Sequence, residues 1–281
     1  MNVKLHGGLG NQLFQLAFGR GIGATGYDNS DCSYFRNYQL DAWDINIPLV
    51  RDPHASLNGA PWWGNAERVY HEPADAVGHF DPKVYDRPAD TLFRGYWQTE
   101  RYFESYSTSL RSELSRPKGE MPEEIKRLEQ EITSAPKSAF ICVRRGDYMT
   151  PGLIKNFGCM DKWYYVNARR TIEHAIGWDT KFFVFSDDPD YCRQEFGASI
   201  IIDHRQPNLN IRMWPTAPWD LYLMSLCQHG VTSNTSFGWW GAWLGDNQKD
   251  RIVIAPDPWF QQTESSGVVP SRWLRRTATI L

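Results

Sequence analysis

The chain has little that would staple it, anchor it or charge it strongly. Its five cysteines (Cys32, Cys142, Cys159, Cys192 and Cys227) are odd in number and include no C-x-x-C pair. That count argues against a disulfide framework or a structural zinc site and fits a reducing compartment. The seven histidines show no paired ligand spacing, so no metal site is expected. No apolar run is long enough to span a bilayer, and Met1–His6 lacks the basic and apolar regions of a leader. The expected location is therefore cytoplasmic, with peripheral membrane association only if the substrate is lipid-linked. A net charge of −3 gives no electrostatic basis for wrapping nucleic acid. The dinucleotide G-x-G-x-x-G fingerprint is also missing, which puts an NAD-dependent oxidoreductase well behind other α/β readings.

What is present is apolar and aromatic. Apolar residues make up 41% of the 281 positions, enough for one large α/β domain or two small ones. The thirteen tryptophans suit either sugar stacking or core filling, and core filling is expected for most of them. Val3 and Leu5 alternate with polar residues before a glycine turn, after which Leu13, Phe14, Ala17, Phe18 and Ile22 recur at helical spacing. Asn29 to Ala89, rich in Pro, Asp, Trp and Gly, resists assignment. Arg94 to Phe103 reads as a strand end entering a helix, and Glu120 to Glu131 as a charged helix.

Beyond the linker Ser134–Ser138 the pattern alternates. Strands are predicted at 139–143, 181–185, 199–202, 230–233 and 251–255. Helices are predicted at 163–176, 220–229 (capped by Asp220) and 239–244. Alternation of this kind implies parallel sheets covered by helices, with ligands at the carboxyl ends of the strands.

Four motifs fall at such ends. Gly7-Gly8-Leu9-Gly10-Asn11-Gln12 lets backbone approach a ligand ahead of a helix N-terminus; alone it is as readily a plain tight turn. Cys142-Val143-Arg144-Arg145-Gly146-Asp147 places two arginines after a buried run. These suit a diphosphate, against the alternative of an Arg–Asp147 ion pair. Ser186-Asp187-Asp188 can hold ribose or guanine, bind a divalent metal, or cap a helix. Asn234-Thr235-Ser236-Phe237 makes a second anion cradle, followed by a Trp cluster that suits core packing.

Taken together, GGLGNQLFQLA (7–17), GYWQTERYF (95–103), VRRGDY (143–148) and FFVFSDDPDY (182–191) resemble the α-1,2-fucosyltransferase family. DLYLMSLCQHGVTSNTSFGWWGAWL (220–244) and VIAPDPWF (253–260) continue the resemblance. It covers nearly the whole chain except about residues 28–91. It implies an α/β, GT-B-like fold: two Rossmann-type domains facing across a cleft, an acceptor-side domain at 1–136 and a GDP-sugar domain at 137–281. It also implies metal-independent, inverting transfer of L-fucose from GDP-β-L-fucose to a glycan hydroxyl, galactose 2-OH in particular, with no cofactor.

Carried over by position, Arg144 or Arg145 neutralises the diphosphate. Asp187 or Asp188, with Ser186, holds guanine or ribose, while Asn234, Thr235, Ser236 and Phe237 cradle phosphate. Gly8, Gly10 and Asn11 reach the donor from the N-terminal side. Asp147 is placed for catalysis but, beside arginines, is better suited to positioning than to proton abstraction; Glu100 and Asp41 are weaker base candidates. The chain departs from the family's pattern at Cys142, where His is usual, and at Gly238, where Ser is usual. Arg205–Trp219 also looks unlike the family. A thiol cannot donate as an imidazole does, which leaves open a different donor sugar or linkage. A nucleotide-sugar-binding pseudoenzyme is the alternative of another class, disfavoured by the paired cations.

Overall fold

The structure, a computed structural model, describes residues 1–32, 37–50, 68–197, 199–204, 216–261 and 267–279. Backbone contacts divide the chain into two compact units, Met1–Leu114 with Ser265–Pro270, and Ser115–Glu264 with Ser271–Leu281. The sequence places its boundary at 136/137. In the structure helix α3 (Glu123–Ser134) packs on α7 (Ala217–Leu226), which carries 115–136 into the second unit. Ile125, Leu128 and Ile132 are the apolar stripe that α3 buries.

The first unit is built on a parallel sheet of β1 (Asn2–Lys4), β2 (Gly26–Asp28), β3 (Val69–His71) and β4 (Leu92–Arg94), in the order β2-β1-β4-β3. Helix α1 (Leu9–Gly21) follows β1 directly, and α2 (Ser107–Glu113) closes the unit. The α1 apolar face meets an aromatic cluster in which Phe18 stacks on Trp97 at 4.2 Å, with Phe93 and Tyr102 edge-on. Strand β3 lies in the stretch that the sequence leaves unassigned, of which 33–36 and 51–67 fall outside the described residues. The helix expected up to Phe103 is replaced by two short 3-10 turns at Glu100–Tyr102 and Glu104–Tyr106. Trp97, at φ +56°, turns the chain there in a way no α-helix accommodates.

The second unit carries six parallel strands. β5 (Ser138–Val143), β6 (Lys181–Ser186) and β7 (Ile200–Ile202) run to one side; β8 (His229–Val231), β9 (Val253–Asp257) and β10 (Leu274–Thr277) run to the other. The order is β10-β9-β8-β5-β6-β7. All six residues of β5 are buried, as a strand covered on both faces requires. Between strands lie α4 (Pro151–Phe157), α5 (Lys162–Ile176), α6 (Pro189–Glu195) and α8 (Ser236–Leu244). Tyr164, Tyr165, Ala168 and Ile172 of α5 pack against Ala139, Ile141, Val143 and Val184 of the sheet.

On the opposite face Trp239, Trp240 and Trp243 of α8 are fully buried, with Trp239 and Trp243 stacked at 5.9 Å. The aromatic cluster is therefore core, as expected. Helix α7 begins at Ala217, one turn earlier than its predicted start. Asp220 lies inside it and meets His204 (Nε2 to Oδ1, 2.7 Å), both fully buried, so it does not serve as the cap. Most of the atypical segment Arg205–Trp219, residues 205–215, lies outside the described residues.

Candidate functional site

The strand order of the second unit dictates where its ligand goes. From β5 the chain builds outward through β6 and β7, then returns to β8 on the other flank and builds outward again. Neighbouring strands leaving in opposite directions open a crevice at their carboxyl ends, the position where doubly wound sheets bind ligands. Here that switch lies between β5 and β8. The segments that leave it are Arg144–Asp147 and Thr232–Ser236.

Parallel pairing of Val143 with Ser186 brings the arginines beside Asp187 and Asp188. Arg144 Nη1 donates to Asp187 Oδ2 at 2.5 Å, and its Nη2 pairs with Asp147. The other oxygen of Asp187 accepts the Arg145 backbone N–H at 2.9 Å. Arg145 Nε donates to Asp188 Oδ2 at 3.2 Å, and its guanidinium lies 3.6 Å over the Tyr191 ring. Burial opposes the charge on both guanidinia, but the carboxylates more than reverse it, so each is held above its ordinary pKa.

A side chain at Gly146 would displace the Asp187 carboxylate, because a Cβ there would lie 2.4 Å from Asp187 Oδ2. Asp188 has a second task as the cap of α6, where its Oδ1 accepts the Tyr191 N–H at 3.1 Å. Ser186 Oγ accepts the Asp188 N–H at 2.9 Å. Both the phosphate and the ion-pair readings of the arginines thus have a place: they stand at the switch, and they arrive there already paired with Asp147, Asp187 and Asp188.

The opposite wall is the start of α8. Thr235 caps it, its Oγ1 accepting the Phe237 N–H at 3.3 Å. Asn234 Nδ2 donates to the Phe157 carbonyl at 2.8 Å, anchoring α4. Ser233 Oγ and Asn234 Oδ1 are buried with no partner among the described residues. A loop of small polar groups at a helix N-terminus, with the Ser233 hydroxyl unsatisfied, is suited to an anion; Asn234 Oδ1 can only accept and would meet a donor instead.

Behind it Tyr164 Oη donates to the Thr232 carbonyl at 2.6 Å. Cys142 and Gly238 meet beneath this turn: a Cβ on Gly238 would lie 2.9 Å from Cys142 Sγ and 2.4 Å from Thr232 Oγ1. The strand ends thus gather Cys142, Arg144, Arg145, Asp147, Ser186, Asp187, Asp188, Asn234, Thr235, Ser236 and Phe237.

The family's sequence profile, that of glycosyl transferase family 11, matches residues 78–271. The chain belongs to that family. It is a glycosyltransferase of the fucosyltransferase type, with an α/β fold of two parallel sheets. It is 29% identical to an α-1,2-colitosyltransferase of Escherichia coli over 97% of both chains. It is 34% identical to the O-antigen biosynthesis glycosyltransferase WbnK of Escherichia coli over 47% of this chain and 42% of that one.

In fold it is similar to the fucosyltransferase NodZ from Bradyrhizobium (TM-score 0.50, 16% identity, 85% of this chain and 90% of that one). It is also similar to a variant of Arabidopsis thaliana FUT1 in complex with GDP (TM-score 0.50, 14% identity, 90% of this chain and 70% of that one). No helix among the described residues is long and apolar enough to cross a membrane.

The glycine motif lies in the first unit, where its residues divide the work. Gly7 takes φ +78° and makes the turn; Gly8 precedes α1 with open space beside its Cα; Gly10 is buried inside the helix. Asn11 Oδ1 accepts from Gln98 Nε2 at 3.0 Å. Fully buried Gln15 ties the ends of two strands, accepting the His6 N–H at 2.9 Å and donating to the Gly95 carbonyl at 3.0 Å. Gln15 was not singled out from the sequence.

Proposed function

We propose that this enzyme binds a GDP-linked 6-deoxy sugar at the β5/β8 switch and transfers it, with inversion, to a glycan hydroxyl. The observation that carries this reading is the crevice at the switch, with two arginines on one lip and a capped helix N-terminus with the unsatisfied Ser233 hydroxyl on the other. The diphosphate belongs on the α8 turn and Arg145, with Arg144 fixed by its carboxylates as a second positive edge. As the bond to the anomeric carbon breaks, negative charge grows on the leaving GDP. Fixed donors aimed at that charge favour the transition state over the bound substrate. Asp187 and Asp188 serve guanine or ribose through the faces not used by the arginines. No metal or cofactor takes part.

The donor is GDP-β-L-fucose or its 3-deoxy analogue, GDP-colitose, and the product is α-1,2-linked. One observation favours the deoxy sugar as a second reading: the full-length relative named above is a colitosyltransferase.

Calorimetric titration with GDP, GDP-fucose, GDP-colitose, GDP-mannose and UDP, without metal, tests the site. Binding of GDP and at least one of the first two sugars, with none of UDP, is expected. No binding of any guanine nucleotide would overturn the assignment. The ratio of kcat/KM for the two donors then decides between fucose and colitose.

A further inference from the structure

The tryptophans within the described residues divide sharply. Eight of them are buried, whereas Trp163 and Trp178 are 57% and 65% exposed. With Leu274, at 47%, these are the three most exposed large apolar side chains among the described residues. All three stand on one surface of the second unit, made by helix α5, the turn after it and edge strand β10.

Helical periodicity builds that surface. Tyr164, Tyr165, Ala168 and Ile172 turn inward to the sheet. Trp163, Asn167, Arg170 and His174, spaced by four, three and four residues, therefore share the outward face, and all four are exposed. Gly177 ends the helix at φ +121°, and Trp178 lies against His174 with ring centroids 5.0 Å apart. Strand β10 flanks the helix, Arg276 Nη2 donating to Thr171 Oγ1 at 2.9 Å. Side chains alternate along a strand, so Leu274 shares the side of Arg276.

The surface is cationic in a chain whose net charge is −3. Lys162, Arg170 and Arg276 are exposed on it. The one acid of α5, Glu173, is buried and paired with Arg169 at 2.8 Å, and β10 has none. Two acids at the margin are also paired: Glu195 lies 3.5 Å from Lys162, and Asp179 lies 2.6 Å from Lys137. Indole rings with cations between them, and no exposed acid on either element, match the interfacial zone of a bilayer with negative headgroups.

We propose that the α5/β10 surface docks this glycosyltransferase on an anionic lipid bilayer. Trp163, Trp178 and Leu274 enter the headgroup layer, and Arg170 and Arg276 meet lipid phosphates. The helix lies along the membrane plane, as its polar residues and length of 15 residues require. Trp163 and His174, the neighbour of Trp178, are about 16 Å apart along the helix, so the two indoles are separate anchor points. The acceptor that suits such docking is a lipid-linked glycan, a step that rests on the transfer reaction proposed above; docking itself does not.

Flotation with vesicles of equal parts phosphatidylcholine and phosphatidylglycerol, against phosphatidylcholine alone, tests docking of the full chain. The wild type should bind the anionic vesicles roughly tenfold or more better than the neutral ones and be released as salt rises. Trp163→Ala with Trp178→Ala should weaken binding roughly tenfold or more and keep its salt dependence. Arg170→Gln with Arg276→Gln should weaken it by a similar factor and flatten the salt dependence. Both pairs are on the surface, so urea unfolding midpoints should stay near the wild-type value and the loss is read on folded protein.

No flotation of the wild type with anionic vesicles would overturn the proposal, as would equal flotation with neutral ones or wild-type binding in both paired variants. Self-association that the tryptophan substitutions abolish, without flotation, would assign the surface to a second copy of the chain instead. Flotation of a wild type that fails to bind GDP would uphold docking and remove only the lipid-linked acceptor.

Discussion

Gly238 packs directly on Cys142, with room for a hydrogen but not for a methyl group between the helix and the sulfur. Cys142 and Gly238 therefore form one structural unit. Where the strand carries Cys142, the helix above it carries no side chain. Gly238→Ser should overpack the turn, because its Cβ meets both Cys142 Sγ and Thr232 Oγ1. A loss of about 1–3 kcal/mol in urea unfolding is expected. Cys142→Ala in the same chain should recover part of it, giving a coupling of about 0.5–3 kcal/mol for residues in contact. Strict additivity of the two substitutions would show that the contact carries no energy.

The arginines should not be equivalent. Arg145 leans on Tyr191 and is tied to one carboxylate, whereas Arg144 is tied to two. Arg145→Ala should fold and lose about 2.7–4 kcal/mol of transition-state stabilisation, the amount associated with one electrostatic donor. Steady-state kinetics and GDP calorimetry measure it; unchanged GDP affinity and turnover would remove Arg145 from the site. Asp147 makes a partly exposed pair with Arg144. Asp147→Asn should change folding stability by less than about 1 kcal/mol and leave the pH profile of turnover as it was. A lost acid limb in that variant would instead make Asp147 the base.

Tyr164 supports the phosphate loop from behind. Its hydroxyl reaches the Thr232 carbonyl at 2.6 Å and is fully buried. Tyr164→Phe leaves that carbonyl without its partner, at a cost of about 1–3 kcal/mol. Because Thr232 leads straight into the turn that caps α8, GDP affinity should fall along with stability. Weakened unfolding with intact GDP binding would mean that the loop holds its shape without the tyrosine.

Much of the second unit was legible because its signals are local. β5 and β6 are unbroken apolar runs, the Asp161 cap and Gly177 bound α5, and SNTS before an apolar segment announces α8. Asp220 misled because its side chain serves His204, a partner that no local pattern reveals. β10 was invisible because all four residues, LRRT, are exposed and lack alternation.

The arginine motif was readable as a site, but not its three-carboxylate pairing, which depends on the Val143–Ser186 register. The buried carboxylate of Glu72 could not be found either. It is an isolated acid next to a Pro in an unpatterned stretch, and only the β3–β4 pairing brings it under Tyr96 and Trp97.

Burial of Glu72 makes stability depend on pH. Its ordinary pKa of 4.5 is raised to about 7 in the folded chain, chiefly by desolvation. Between those values the native state keeps a proton that the unfolded chain has released. Since stability changes with pH as the difference in bound protons, raising the pH through that window favours unfolding. The contribution is therefore fully present below about pH 4.5 and lost by the time the pH passes about 7. Glu72→Gln carries no ionisable group and should flatten this part of the curve. Urea midpoints of both proteins at about pH 5 and pH 8 give the test. The wild type should lose more stability than the variant over that interval, even if Gln at 72 lowers both midpoints by giving up one backbone N–H bond. Parallel curves would show that Glu72 ionises at an ordinary pKa in the folded chain.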